Sequence, residues 1–210
     1  MRPENQSGEQ TRSFIEQARR AQIVRAAVET IAELGFAKSS FVRIAGRAGI
    51  SPGLISYHFA GKDELIAQVA ADIGAAMNEA IEERAAGARS YLDALRAMIR
   101  GLVLFCAEHR TEMYALREIA ENAPASGGAA VDRNVSVDQL AGLLREGQEH
   151  GEFRAFDPHL MAVTLNAALE AAPRELYSRP ETDAGRYAEE LAETFALAVR
   201  RTGRGRRRHG

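Results

Sequence analysis

The chain has 210 residues, which include 27 Lys or Arg, 29 Asp or Glu and a single cysteine, and its formal net charge is −2. A chain of this length buries enough surface to fold without disulfide bonds, and one cysteine excludes an internal disulfide framework. No apolar run approaches the roughly 20 residues of a membrane span, and the polar amino-terminal residues lack the apolar core of a signal peptide. We therefore expect a soluble, cytoplasmic protein without a membrane partner.

Charge is distributed unevenly along the chain. Residues 1–62 carry nine basic and five acidic side chains, residues 63–199 carry twelve basic and twenty-four acidic ones, and six further arginines follow from Arg200. The basic segment at 1–62 favours a polyanionic partner such as nucleic acid. Nucleic acid would repel the acidic segment at 63–199, so this segment is expected to have a different function. Ordinary variation of a protein surface is the alternative explanation.

Apolar residues recur at helical spacing along almost the whole chain, and no segment shows convincing alternation of period two. We therefore predict an all-α fold. The helix that contains Ile23 and Ile31 is expected to end at Gly35, since glycine adopts the left-handed conformation at little cost. Ser39 or Ser40 is expected to cap the next helix.

Long helices are expected farther along, because the chain contains no proline between Pro52 and Pro124. We predict them over about residues 62–86 and 90–109, with a third that runs to about residue 122. Small residues dominate positions 122–132, which predicts a flexible loop.

Three features predict the carboxyl-terminal helices. One helix is expected to start at residue 134 or 136 and to run to about 151. Asp157 and Pro158 then combine a capping carboxylate with proline at the first helical position, and Pro173 is expected to end or kink that helix. The last helix is predicted over about residues 183–201.

The segment from Phe41 to Phe59 has the features of a helix-turn-helix. Two short helices that cross steeply need a small side chain at the crossing, which Ala45 supplies, and a tight turn needs a left-handed residue, which Gly49 supplies. Ser51 can cap the second helix, with Pro52 at its first position. The alternative is a helical hairpin on the surface without a DNA-binding role.

The second helix of this motif is poor in charge. Gly53, Ser56 and Tyr57 are slim or uncharged, and residues 52–61 contain no carboxylate, as entry into a DNA groove favours. Lys62 stands at the start of the next helix, where a cation opposes the helix dipole and so suggests an external anion. A surface lysine without such a partner is the alternative.

At these residues the sequence resembles a known family. The runs RAAVETIAELGF, SSFVRIAGRAGIS and GLISYHFAGKDELI are similar to the amino-terminal DNA-binding domain of TetR family transcriptional regulators, over about residues 15–70. One departure is that Ser56 replaces the usual tyrosine and the aromatic residue follows at Tyr57. Leu54 likewise replaces a common threonine.

The resemblance implies a homodimer of about nine helices per subunit that binds a palindromic operator on double-stranded DNA. We place the DNA-binding domain at 14–65, with its helix-turn-helix at about 40–59, and the effector-binding and dimerisation domain at 66–201. The arm at 1–13 and the basic tail at 202–210 are expected to be disordered. A small, mostly apolar ligand is expected to release a repressor from DNA through the helix that starts at Lys62. An activator or dual regulator is an alternative within the same family.

Candidate DNA-binding residues are Ser39, Ser40, Arg43, Arg47, Ser51, Pro52, Gly53, Leu54, Ser56, Tyr57, His58 and Lys62. The phosphate contacts that the resemblance implies are Ser39 or Ser40, Tyr57 or its neighbour, and Lys62. The base contacts that it implies are Pro52, Gly53, Leu54 and Ser56, with Arg43 and Arg47 nearby. Whether Ser56 or Tyr57 touches phosphate stays open.

The carboxyl-terminal candidates follow from stripes of apolar residues, which can equally line each subunit's own core. The expected ligand-binding residues are Met77, Met98, Leu102, Phe105, Met113, Leu116, Met161, Leu165 and Asn166. The expected dimer-interface residues are Ala162, Ala168, Leu169, Ala172, Tyr187, Leu191, Thr194, Phe195 and Ala198.

No motif for catalysis or for a cofactor is present. The sequence contains no glycine-rich phosphate loop, nucleophile elbow or HExxH motif, so an enzyme is not expected. Cys106 and His109 lie three residues apart, but two residues do not make a metal site, and we expect no metal. A helical module that binds protein instead of DNA is the remaining alternative.

Overall fold

The computed structural model describes residues 6–122 and 133–201, and within these residues it confirms the predicted all-α fold. The described chain forms nine α-helices and one short 3-10 turn, and its only extended pairing is an isolated bridge between Phe153 and Arg200. The helices are α1 Gln6–Leu34, α2 Phe41–Ala48, α3 Pro52–His58, α4 Lys62–Ala85, α5 Tyr91–Glu108, α6 Arg110–Asn122, α7 Arg133–Glu149, α8 Pro158–Ser178 and α9 Ala184–Val199, with the 3-10 turn at Phe36–Lys38.

Two helix boundaries differ from the prediction. Helix α1 begins at Gln6, so most of the arm expected to be disordered at 1–13 is helical. Helix α8 continues through Pro173 to Ser178, so this proline does not end it. The loop predicted at 122–132 and the tail predicted at 202–210 fall, apart from Asn122, outside the described residues.

The described chain divides into two compact units. The first contains residues 6–74 and 111–122, and the second contains residues 75–110 and 133–201. The boundary therefore falls inside α4 and not at residue 65, where the sequence analysis placed it. Helix α6 joins the amino-terminal unit, although it follows α5 in the chain.

The core of the amino-terminal unit forms where α1, α2, α3 and the first half of α4 present apolar side chains at helical spacing. Its fully buried members are Ile23, Ala27, Ile31, Ile44, Ala45, Ile55, Phe59, Leu65 and Val69. Helix α3 is only seven residues long, so its stability comes from this packing and not from helix propensity.

Helix α5 lies at the centre of the second unit, where it packs against α8 and α9. Arg96 pairs with Glu193 at 2.6 Å and Arg100 pairs with Glu189 at 2.5 Å, so α5 and α9 run antiparallel. These pairs are partly exposed and each contributes less than about 1 kcal/mol. Burial of Leu95, Ile99, Val103, Leu165, Ala192 and Val199 therefore provides most of the packing energy.

The connection between α7 and α8 is fastened to the end of α9. The Phe153 ring lies over Gly147, where no side chain intervenes, and Gly151 turns the chain with a φ of 75°. The backbone N–H of Arg154 donates to the carbonyl of Val199 at 2.9 Å.

Among the described residues, no helix is both long and apolar enough to cross a bilayer.

Candidate DNA-binding surface

The cap of α2 and the turn at Gly49 are built as the sequence predicts, but the capping hydrogen bond expected from the Ser51 side chain is absent. Ser40 caps α2, since its hydroxyl accepts a hydrogen bond from the Arg43 N–H, and Gly49 ends the helix in the left-handed conformation with φ 67°. The Ile50 N–H donates to the Ala45 carbonyl at 3.0 Å, which closes the turn. Ala45 is fully buried at the crossing, as expected.

Helix α3 is anchored on one side and open on the other. Ile55 and Phe59 are buried, whereas Gly53, Ser56 and Tyr57 are exposed, Tyr57 to 74% of its surface. Because the buried residues lie on one side of the helix and the exposed residues on the other, the same face of α3 always points to the solvent.

The exposed face of α3 carries no bulky or charged side chain at its amino-terminal end. Ser51 and Pro52 are exposed and Leu54 is half-buried, and the Ser51 side chain makes no capping hydrogen bond. A Cβ added at Gly53 would meet no atom within 4 Å, so packing within the protein does not require glycine there. A flat helix surface of this kind allows the close approach of a large partner.

Arg20 of α1 holds the far end of α3. Its guanidinium donates to the carbonyl of His58, lies 4.1 Å from the centre of the Phe59 ring and pairs with Glu64 at 3.4 Å. The half-buried His58 ring packs edge-on against Tyr57. The Ala60 N–H, followed by Arg20, lowers the pKa of the Glu64 carboxyl. The carboxylate therefore stays charged and fixes the start of α4.

Lys62 has a partner inside the protein, which corrects the inference drawn from its place at a helix start. Its ammonium donates to the Phe36 carbonyl at 2.8 Å and lies 4.0 Å from the centre of the Phe36 ring. Partial burial lowers the pKa of this ammonium, despite the opposing effect of Asp63. The position of Lys62 alone is thus no evidence for an external anion. Its phosphate contact stays a prediction.

Two other candidates, Ser39 and Arg47, also change. Ser39 is fully buried and its hydroxyl donates to the Phe36 carbonyl at 2.6 Å, so it cannot touch DNA, and the exposed Ser40 is the remaining choice. Arg47 pairs with Glu29 and Glu33 of α1. Because these carboxylates neutralise Arg47 on the α1 side of α2, it is a poor candidate for base readout.

Arg43 is exposed and donates to the Lys38 carbonyl at 3.1 Å, which leaves other N–H groups of its guanidinium for a partner. Two residues of this surface, Val42 and Arg20, were not predicted from the sequence. Val42 is 68% exposed in the first turn of α2, and its signal is an apolar residue out of phase with the buried Ile44. Arg20 carried no signal, because its partners lie far along the chain.

The expected ligand-binding residues do not all fall in one unit. Met113 and Leu116 belong to the amino-terminal unit and the others belong to the second unit. Phe105, Met113 and Leu165 are buried, and the remaining members are half-buried. The amide of Asn166 donates to Glu170 at 3.1 Å.

The expected dimer-interface residues divide by exposure. Ala162, Leu169, Ala172 and Phe195 are buried in the subunit's own core, so they cannot form the surface of an interface. Ala168, Tyr187, Leu191 and Ala198 are half-buried and Thr194 is exposed.

A surface groove of about 500 Å³ runs along the first half of α9. Its lining includes Tyr187, Leu191 and Thr194 beside the charged Arg186 and Glu190. The groove thus gathers three of the residues expected at the dimer interface and none of those expected to bind ligand.

Cys106 is buried, and this burial raises the pKa of its thiol to about 12. The nearby His109 ring stacks on Phe105 at 4.2 Å. Within the described ranges, no three His, Cys, Asp or Glu side chains are grouped as metal ligands would be.

The family model for bacterial regulatory proteins of the tetR family matches residues 23–69 of the chain. The HTH-type transcriptional regulator BetI 1 from Chromohalobacter salexigens is 40% identical over 84 residues, which cover 40% of this chain and 42% of that protein. The chain thus spans less than half the length of the curated relatives it matches.

Solved structures extend the likeness to the whole fold. A TetR-like transcriptional regulator from Rhodococcus sp. RHA1 is 26% identical, with a TM-score of 0.67 over 85% of this chain and 94% of that one. The fatty acid degradation regulator FadR from Bacillus halodurans shares the fold, with a TM-score of 0.71 at 20% identity over 86% of this chain and 99% of that one. The family comprises regulators and not enzymes. Residues 23–69 thus match the helix-turn-helix DNA-binding domain of the TetR family of bacterial regulatory proteins, and this domain lies in the amino-terminal unit.

Proposed function

We propose that the protein is a homodimeric repressor, which binds a palindromic operator in the cytoplasm with one α3 from each subunit and is released by a small, mostly apolar ligand. Each α3 enters the major groove, where Gly53, Leu54 and Ser56 meet base edges. Ser40, Tyr57 and Lys62 hold the phosphate backbone on either side.

The exposed face of α3 carries this proposal. Four anchors hold the buried side of the helix in place: Ile55, Phe59, the Arg20 guanidinium and the turn at Gly49. Its outward side is slim at Gly53 and has no carboxylate from residue 52 to residue 61. A helix that is rigidly supported yet bears no negative charge suits a polyanion groove better than an ordinary solvated face.

The outward faces of α8 and α9 support dimerisation. Leu160 is 64% exposed on α8, with Val163 one turn later, and Leu197 is exposed on α9. Large apolar side chains in this arrangement are typical of a contact between subunits. We therefore place the dimer interface on these residues and on the α9 groove, and not on the buried alanines of the same helices.

Selection of bound sequences from a random duplex pool tests the proposal. The purified protein is expected to enrich a two-fold symmetric sequence, because two subunits present α3 about one helical turn apart. Ser56→Glu places a carboxylate on the open face of α3 and is expected to abolish enrichment, while Gln139→Glu, an exposed site on α7, keeps it. Equal enrichment by both variants, or none by the unmodified protein, would overturn the proposal in favour of a protein-binding module.

A further inference from the structure

The backbone of Phe36 is held at both of its polar groups. Its N–H donates to the Glu118 carboxylate at 3.4 Å, and its carbonyl accepts from the Lys62 ammonium at 2.8 Å. Gly35, directly before it, turns the chain with a φ of 81°. Phe36 therefore connects a carboxylate of α6 to a cation at the start of α4.

The Glu118 carboxylate fits closely into this corner. Its side chain is only 17% exposed, and its second oxygen lies 3.7 Å from Arg117. A Cβ added at Gly35 would lie 3.4 Å from the first oxygen, so the carboxylate already touches the backbone there. A charge this enclosed needs its partners, because removal of one partner leaves the other group without its hydrogen bond.

Helix α6 is part of the same compact unit as α1 to α3. It begins at Arg110, with only His109 between it and the end of α5 at Glu108, and α5 is the central helix of the second unit. The chain therefore returns from the second unit directly into the helix that bears Glu118. This is a covalent route separate from α4, which the sequence analysis expected to carry the ligand signal.

We propose that Glu118 is a positioning residue for DNA binding, which acts through Phe36 on Lys62. The carboxylate fixes the Phe36 peptide, and the Phe36 carbonyl and ring then fix the Lys62 ammonium at the start of α4. A displacement of α6 that breaks the Glu118 contact leaves the Phe36 peptide held only on its carbonyl side, by Ser39 and Lys62. The peptide can then tilt and shift the Lys62 ammonium, which weakens DNA binding. This regulatory role rests on the proposed function, because it requires that Lys62 holds DNA.

A double-mutant cycle tests the connection. Operator DNA from the selection experiment is bound by four proteins: the unmodified chain, Glu118→Ala, Lys62→Met and the double variant. We expect Glu118→Ala to weaken binding about fivefold in the unmodified background and less than twofold in the Lys62→Met background. Low ionic strength keeps the affinity of Lys62→Met measurable.

Matched variants separate positioning from general destabilisation. Glu121→Ala removes an exposed carboxylate one turn later on α6, which also pairs with Arg117, and is expected to change binding less than twofold. Glu118→Gln keeps an acceptor for the Phe36 N–H and is expected to bind within twofold of the unmodified chain. Amide hydrogen exchange at Phe36 should accelerate at least fivefold in Glu118→Ala and should not accelerate in Glu121→Ala. This measurement does not depend on the affinity for DNA.

An equal loss from Glu118→Ala in both backgrounds, or unchanged exchange at Phe36, would overturn the proposal. If the protein is not a DNA-binding repressor, the result is different, because the unmodified chain would then bind no duplex DNA at all. In that case accelerated exchange at Phe36 would show the contact to be structural and would also reject its role in DNA binding.

Discussion

The Nζ atom of Lys62 lies 2.8 Å from the carbonyl oxygen of Phe36 and 4.0 Å from the centre of the Phe36 ring. An ammonium has three N–H donors, so one hydrogen bond to the protein leaves donors for a phosphate. The internal bond orders a long side chain before DNA arrives, which lowers the entropy that binding must remove. Lys62 thus has a structural partner and a proposed DNA partner together.

Lys62→Met should separate these two roles. The aliphatic stem still covers the Phe36 ring, so we expect stability to change by less than about 1 kcal/mol. Binding to operator and scrambled DNA should weaken alike, and the slope of log affinity against log salt should fall by about 2 if each of two subunits loses one phosphate contact. Gel shifts at several salt concentrations measure this, with the exposed Arg145→Met as the charge-matched control. An unchanged slope would remove Lys62 from the phosphate contacts.

Gly53→Ala should fold well and bind DNA poorly. The added Cβ meets nothing within 4 Å, so the stability is expected to stay unchanged or to rise by at most about 1 kcal/mol. The methyl group projects from the open face of α3, where it keeps the helix from base edges. Urea unfolding and gel shifts check both effects, and Gly142→Ala on α7 is the control with equally open surroundings. Operator affinity equal to that of the control would contradict a close approach at Gly53.

Gly147→Ala should destabilise the second unit. A Cβ there would overlap the Phe153 ring, which must shift in a packed region, at a cost of about 1–3 kcal/mol. The midpoint of urea unfolding should fall accordingly. Gly142→Ala, on the same helix with no atom within 4 Å, should not lower it. Equal midpoints would mean that Phe153 moves aside freely.

Cys106 should not respond to thiol reagents in the folded protein. Burial raises its pKa to about 12, so the reactive thiolate is absent at pH 8. We expect Ellman's reagent to modify it in urea and not under native conditions. As the pH rises above the unfolded value near 9, the unfolded chain releases this proton first, and the free energy of unfolding should fall until about pH 12. Rapid native modification would show that the site opens.

Leu160→Asp should convert the proposed dimer into monomers. The residue is 64% exposed, so the substitution leaves the subunit core intact while it places a charge in the apolar contact. Light scattering should report a mass near 22.9 kDa, and Gln139→Asp should keep twice that value. A dimeric Leu160→Asp protein would place the interface elsewhere.

The sequence by itself determined the all-α fold, the helix-turn-helix and the resemblance of the DNA-binding domain to the TetR family, because these depend on local chemistry. Helical periodicity, a left-handed glycine at position 49 and proline at the start of α3 act within a few residues of each other. The anchors Ile55 and Phe59 follow the same periodicity. At Pro173 local chemistry left two outcomes open, an end or a kink of the helix, and α8 continues past the proline.

Only the tertiary structure decided which face each candidate presents. Ser39 and Ser40 are adjacent and chemically alike, yet one is fully buried and the other caps α2 in the open. The internal partner of Lys62, the hold of Arg20 on α3 and the contact of Glu118 with Phe36 join residues 26 to 82 positions apart. Such contacts leave no periodic trace in the sequence, because they form only after helices from distant parts of the chain have packed together.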